Sequence, residues 1–231
     1  RSGGRETAAS PEKSSLRERA LGEAASTLAF QQGLAWRYAK LMDACGKREH
    51  IFDRVFNFGP LLMDGRVLPP VIRWAGRGVS LGGNGEARSV EASYRIVRPA
   101  AIVTRAPTWR DYLMTGVPET ENRPAILPAT QAEKKAWKRG VTEGWAAGAA
   151  AADELFSVNM NRLVADYRGI LRFRMLARRG MVSLPVLAEG RLAVRVEKRT
   201  LDVGETTFRI SVPAEFRDME NWSAGTDGRE E

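Results

Sequence analysis

Apolar residues first fall at helical spacing. Leu16, Ala20, Leu21, Ala24, Ala25 and Leu28 recur every three or four positions and define one helical face. Ser15 and Glu18 have the capping-box spacing of a hydroxyl followed three residues later by a carboxylate, which predicts a helix start near Ser14–Ser15. Gly33 is expected to interrupt this helix. A second helical stretch then runs from Leu34 to about Cys45 and carries Trp36, Leu41 and Met42. The segment HIFDRVFNF (50–58) crowds Ile51, Phe52, Val55, Phe56 and Phe58 together, a short helix running into an aromatic anchor.

The pattern changes over 60–104. Pro60, Asp64-Gly65, Pro69-Pro70, Gly76, Gly78 and Gly82-Gly83-Asn84-Gly85 punctuate turns. Strand-like pieces lie between them at Val67-Leu68, 71–74, 90–97 and 101–104. Val90, Ala92, Tyr94 and Ile96 alternate with polar partners, the period of a half-buried strand. Thr108 can cap a short helix over 109–114, and the prolines of 115–129 predict an extended loop.

Thr130 and Glu133 repeat the capping-box spacing, and helical periodicity continues to about Arg178. Gly140, Gly144 and Gly148 share one face of this helix. An interior glycine costs about 1 kcal/mol against alanine, so three on one face predict another backbone at close range. Gly169 reads as a kink or the start of a second helix, and Gly180 as the C-terminal stop with Arg178 and Arg179 favourably near the negative end of the dipole. After it, 182–188, 192–198 and 206–212 read as three strands of an antiparallel meander, turning at Glu189-Gly190 and Asp202-Val203-Gly204. The fold class is therefore α+β: N-terminal helices and a long central helix (about 130–178) packed on a mainly antiparallel sheet. Residues 1–13 read as a disordered leader, 14–222 as a single domain and 223–231 as a disordered tail.

Composition narrows the chemistry. The chain has 231 residues, 43% of them hydrophobic, which suits a globular domain with a sizeable core. One cysteine (Cys45) and one histidine (His50) allow no intrachain disulfide and no Cys-based zinc site. They also leave almost nothing for Ser-His-Asp, Cys-His or multi-His catalysis. Helical spacing puts Cys45 and His50 on different faces, whereas an activated nucleophile must touch its base. Asp153 and Glu154 point about 100° apart and do not face one substrate. No phosphate-binding, zinc-protease or nucleophile-elbow motif is present, and Gly82–Gly85 lacks the Lys-Ser/Thr of a P-loop. No catalytic, cofactor or metal residues are expected. No run of about 18 apolar residues predicts a transmembrane helix. The chain opens on Arg1, which reads as a processed or trimmed product, with any signal peptide upstream.

Charge keeps two classes of function open. The net charge is +8, carried by 29 Arg and 7 Lys. Segment 162–199 holds ten cations against three acids, so a basic nucleic-acid-binding module is the alternative to an interaction protein. Against it, aromatics do not interleave with those cations as a stacking platform requires. Trp, Tyr and Arg are the favoured anchors of protein interfaces, which makes Trp36, Arg37, Phe56, Phe58, Trp109, Arg110 and Tyr112 the candidate partner-contact residues. Packing between helix and sheet is the competing role for the aromatic ones.

The stretches QGLAWR (around 32–37), IFDRVFNFGPLLMDGRVLPPVI (51–72), YRIVRPAAIVTRAPTWRDYL (94–113) and the ordered segments from LPATQAEKKAW to LVADYRGILRFRMLARRGMVSLP (127–185) resemble the DotC family. DotC proteins are outer-membrane lipoproteins of type IVB, or Dot/Icm-type, secretion and related conjugation systems. The resemblance runs in order over roughly 16–216. It implies a non-enzymatic part of the outer-membrane core complex, at the periplasmic face of the outer membrane of a Gram-negative bacterium. It further implies a DotD-like lipoprotein and a DotH-like core protein as partners, self-association in a ring, and help in placing the DotH-like protein. The family's acylated cysteine sits at the mature N-terminus, whereas the single cysteine here is internal, so either the lipidated residue lies upstream of Arg1 or this member lacks it.

Overall fold

The computed structural model describes residues 11–81, 87–114, 116, 127–197 and 200–223. The Gly82–Gly85 turn, most of the 115–129 loop, residues 1–10 and residues 224–231 lie outside them. The chain is α+β. Helices α1 (Pro11–Gly46) and α2 (Glu49–Val55) lead into strands β1 (Val67–Leu68), β2 (Val71–Leu81), β3 (Ala87–Arg98) and β4 (Ala101–Ile102). Helices α3 (Trp109–Leu113) and α4 (Gln131–Arg178) follow, and then strands β5 (Val186–Glu197) and β6 (Thr200–Val212). The domain expected over 14–222 gathers into two compact units. One combines the chain up to Ile51 with Arg110–Asn161; the other combines Phe52–Trp109 with Arg162 onward.

The first unit is built on α1 and the N-terminal part of α4. The Thr130–Glu133 box forms as its spacing predicts. The Thr130 hydroxyl accepts the Glu133 N–H (3.2 Å), and the Glu133 carboxylate accepts the N–H groups of Thr130 (3.1 Å) and Ala129 (2.7 Å). Arg17 of α1 sits 2.8 Å from the same carboxylate. Backbone donation from Ala129, then Thr130, holds Glu133 below the usual carboxylate range, with a smaller contribution from Arg17. A carboxylate depressed in the folded state contributes stability that is complete above its unfolded pKa and lost as pH falls through the folded one. Wild type should therefore lose its thermal advantage over Glu133→Gln as pH drops from about 5 toward 3. A melting-temperature difference that stays constant over that range would rule out the charged cap.

Two expectations fail in α1. The Ser15–Glu18 box does not form, because Pro11 occupies the opening turn and the helix is already under way at Ser15, whose hydroxyl donates to the Glu12 carbonyl (3.0 Å). Nor does Gly33 interrupt the helix, which is continuous to Gly46. Gly33 is instead a contact glycine: a Cβ there would lie 2.7 Å from the Trp145 carbonyl oxygen. The glycine face of α4 does meet a backbone. Cβ atoms built at Gly140, Gly144 and Gly148 would lie 2.2, 2.1 and 2.1 Å from the carbonyl oxygens of Gly22, Ser26 and Phe30. Both series ascend by four, so α1 and α4 run parallel here, packed at backbone distance, with Leu21, Ala25 and Ala29 buried beside the contact.

The second unit contains three two-stranded antiparallel sheets, β1–β4, β2–β3 and β5–β6. Its core joins Ile72 of β2 to Phe173 and Leu176 of α4, with Val182 and Ala214. Gly169 does not begin a second helix, since α4 runs through it to Arg178. It admits β2, because a Cβ there would lie 2.4 Å from a Val71 methyl carbon. Arg172 then donates to the Ile72 carbonyl (2.9 Å). Gly180 ends the helix with φ +70°. The Gly180 N–H bonds to the Ala177 carbonyl (3.0 Å) and that of Met181 to Leu176 (3.0 Å), a Schellman motif. Residues 215–223 return along 179–183, with Ser183 bonded to Glu215, Arg217 to Met181 and Ser223 to Arg179.

The expected three-stranded meander is a single long hairpin. Gly190 pairs with Thr207 within the ladder, and Asp202 with Arg195. Neither Glu189-Gly190 nor Asp202–Gly204 turns the chain. The Thr207 hydroxyl donates to the Gly190 carbonyl (3.2 Å), and a Cβ at Gly190 would meet that hydroxyl at 2.9 Å. This glycine marks a close cross-strand approach, not a turn.

Candidate partner interfaces

In the first unit, Trp36 projects from α1 at 47% exposure. Its ring tilts 44° against Trp145 of α4, with centroids 5.5 Å apart, and Trp145 is itself 37% exposed. Gly33 permits this by letting α1 approach the Trp145 backbone. Arg37, one residue on, is paired with Asp153 through Nε and Nη2, both 2.9 Å from Oδ1. Arg110 likewise reaches Glu49 (2.6 Å). Tyr112 is buried, which removes it from the contact surface. Next to it in the chain, the Leu113 carbonyl accepts the Tyr38 hydroxyl (2.5 Å), and that hydroxyl in turn accepts from Asn159 (3.2 Å).

In the second unit, Trp109 is a core residue, only 3% exposed. Its indole N–H donates to Asp53 (2.7 Å), and its ring lies 5.0 Å from that of Phe52. Phe58 is buried with its ring edge-on to Tyr167 (5.1 Å), and half-buried Phe56 meets the same ring at 5.6 Å. The aromatic candidates Phe56, Phe58, Trp109 and Tyr112 are thus wholly or partly buried, and removing so large an apolar ring from water favours that placement. Of the seven candidate residues, Trp36 and the cations Arg37 and Arg110 remain at the surface.

Exposed apolar surface falls elsewhere. Trp74 on β2 is 55% exposed, and Phe216 and Trp222 are each 46% exposed. Phe216 and Trp222 border an open cavity of about 450 Å³ with Tyr94, Leu176, Met181 and Arg217. The segment 216–222 has no helical or strand period, so the sequence alone carries no signal for it. The long hairpins β2–β3 and β5–β6 each pair only with themselves among the described residues, which leaves outer edges able to accept a further strand.

Residues 15–224 match the T4SS_TraI family, described as type IV secretory system, conjugal DNA–protein transfer. The chain belongs to this family. The match takes in both units and every described element, α1 from its fifth residue on. No curated protein is significantly similar to the chain.

Groups with reactive potential are dispersed in this T4SS_TraI-family chain. Cys45 is buried at the end of α1, and burial pushes its thiol up, opposed in part by Arg48. His50 is exposed on α2, and Asp153 is tied to Arg37. Among the described residues of the second unit, Asp166 is a deeply buried acid, at 1% exposure, with Oδ2 2.6 Å from Arg98. Among the described residues, no three His, Cys, Asp or Glu side chains gather as a metal site, and no helix is long and apolar enough to cross a membrane.

Proposed function

We propose that this chain is a non-enzymatic structural component of the outer-membrane core complex of a type IVB secretion or conjugation system. It acts there with DotD-like and DotH-like partners and helps place the DotH-like protein at the outer membrane. Its site is the periplasmic face of that membrane in a Gram-negative bacterium, reached through a lipid anchor upstream of Arg1, with copies of the chain associating in a ring. Membership of a type IV secretion and conjugal transfer family supports the broad assignment, and the ordered DotC resemblance over roughly 16–216 supports the finer one.

The observation that carries the reading is the pair of long, self-paired hairpins. A two-stranded sheet is marginal alone in water, and β2–β3 and β5–β6 run 11–13 residues per strand. Neighbouring chains that add strands to these edges would give such arms a purpose in an assembly. In cells lacking this chain, the DotH-like protein should no longer sediment with the outer membrane, and wild-type chain supplied in trans should restore it. Unchanged sedimentation of the DotH-like protein would reject the placement role.

A further inference from the structure

The solvent side of α4 in the second unit carries a feature that its inward face does not explain. Leu163, Ile170, Phe173 and Leu176 point into the core. On the opposite side, Val164, Arg168, Leu171, Met175 and Arg178 follow one another at spacings of four, three, four and three. The spacing is that of a heptad seam, by which one helix receives another, with Arg at two of its five positions. Leu171 and Met175 are 43% and 42% exposed, and Arg168, Arg178 and Arg179 are exposed as well. No acidic residue occurs in the sequence between Asp166 and Glu189, and Asp166 is buried on the other side of the helix. The seam is therefore a short apolar stripe closed at both ends by cations. Beside it, Leu62, Met63, Ala177 and Leu184 line a groove of about 550 Å³ together with Arg174, Arg178 and a single acid, Asp64.

We propose that this seam docks an amphipathic helix of a partner protein, with apolar residues over Leu171 and Met175 and carboxylates facing Arg168 and Arg178–Arg179. The proposal rests on the reading of the chain as an assembly component. Charge selects the occupant. A second copy of the chain would oppose arginine to arginine in either direction, since Arg168 meets Arg168 in a parallel pair and Arg178 in an antiparallel one, and like charges at a seam repel. A membrane surface calls for a broader apolar face, and this one exposes two large apolar side chains with arginines set among them.

The test uses the purified full chain and a fluorescent synthetic helix of about three heptads, with leucine along its seam and glutamate flanking it. A lysine-flanked version and phosphatidylglycerol vesicles serve as comparison probes. The glutamate peptide should bind, more weakly as salt rises. The doubly charge-reversed chain (Arg168→Glu with Arg178→Glu) should lose at least about tenfold in that affinity and take up the lysine peptide instead. Met175→Glu, at a single exposed position, should also weaken the glutamate peptide and serves if the double variant does not fold by circular dichroism. Absence of peptide binding, equal binding of both peptides, stronger binding to vesicles, or self-association abolished by Met175→Glu would each overturn the proposal. Because the probe is synthetic, its failure alongside intact co-fractionation with the secretion complex would reject the seam and leave the assembly reading standing.

Discussion

Gly144→Ala should destabilise the first unit by about 2 kcal/mol or more, although the same exchange in an ordinary helix interior stabilises by about 1 kcal/mol. The sign is set by one distance. A methyl group on Gly144 would lie 2.1 Å from the Ser26 carbonyl oxygen and 2.8 Å from the Ser26 Cα. Those are backbone atoms, which cannot rotate away, so α1 and α4 must separate along the contact that buries Leu21, Ala25 and Ala29. Gly144→Leu should cost more. Gly22→Ala is the internal control, because a Cβ there meets its nearest atom at an ordinary 3.6 Å; the helix-propensity gain should survive and raise the melting temperature. Urea unfolding of the two alanine variants should move in opposite directions. A stabilised Gly144→Ala would mean that the glycines have no packing role.

Trp109→Ala should cost about 3–5 kcal/mol, as expected for emptying a buried aromatic site. The residue is 3% exposed, stacks 5.0 Å from Phe52 and gives its indole N–H to Asp53. Trp109→Phe separates packing from hydrogen bonding. It keeps a ring against Phe52 and removes one donor from Asp53, for a smaller loss of about 1–2 kcal/mol. Should Trp109→Ala unfold like wild type yet weaken capture of partners, Trp109 would be a contact residue after all.

These two sites also show what could be read from residues alone. The glycine face of α4 was legible because a cost repeated at i, i+4 and i+8 needs a reason, and close packing is the common one. Its partners were not: nothing in the sequence marks the Gly22, Ser26 and Phe30 carbonyls that meet this face, and Gly33 looks like a helix break although it is a further close contact, with the Trp145 backbone. Thr130–Glu133 and Ser15–Glu18 have identical spacing, yet the first caps a helix while the second lies inside one already begun at Pro11. Glu189-Gly190 carries turn residues, but the cross-strand approach of Thr207 keeps it in the ladder. Among the aromatic candidates, residue type could not separate anchor from core. Trp36 is presented and Trp109 enclosed, and the difference lies in which elements fold over each. The outer edges of the hairpins were invisible for the same reason, since an unpaired edge is a property of the neighbours a strand lacks.

The decisive experiment is fractionation and affinity purification of the tagged protein from cells carrying the complete conjugation or secretion system. The proposed role requires the chain in the outer-membrane fraction, co-purifying with DotD-like and DotH-like proteins and insensitive to nuclease. Recovery away from that fraction, free of those proteins or bound to nucleic acid with an affinity that falls steeply with salt, would contradict it.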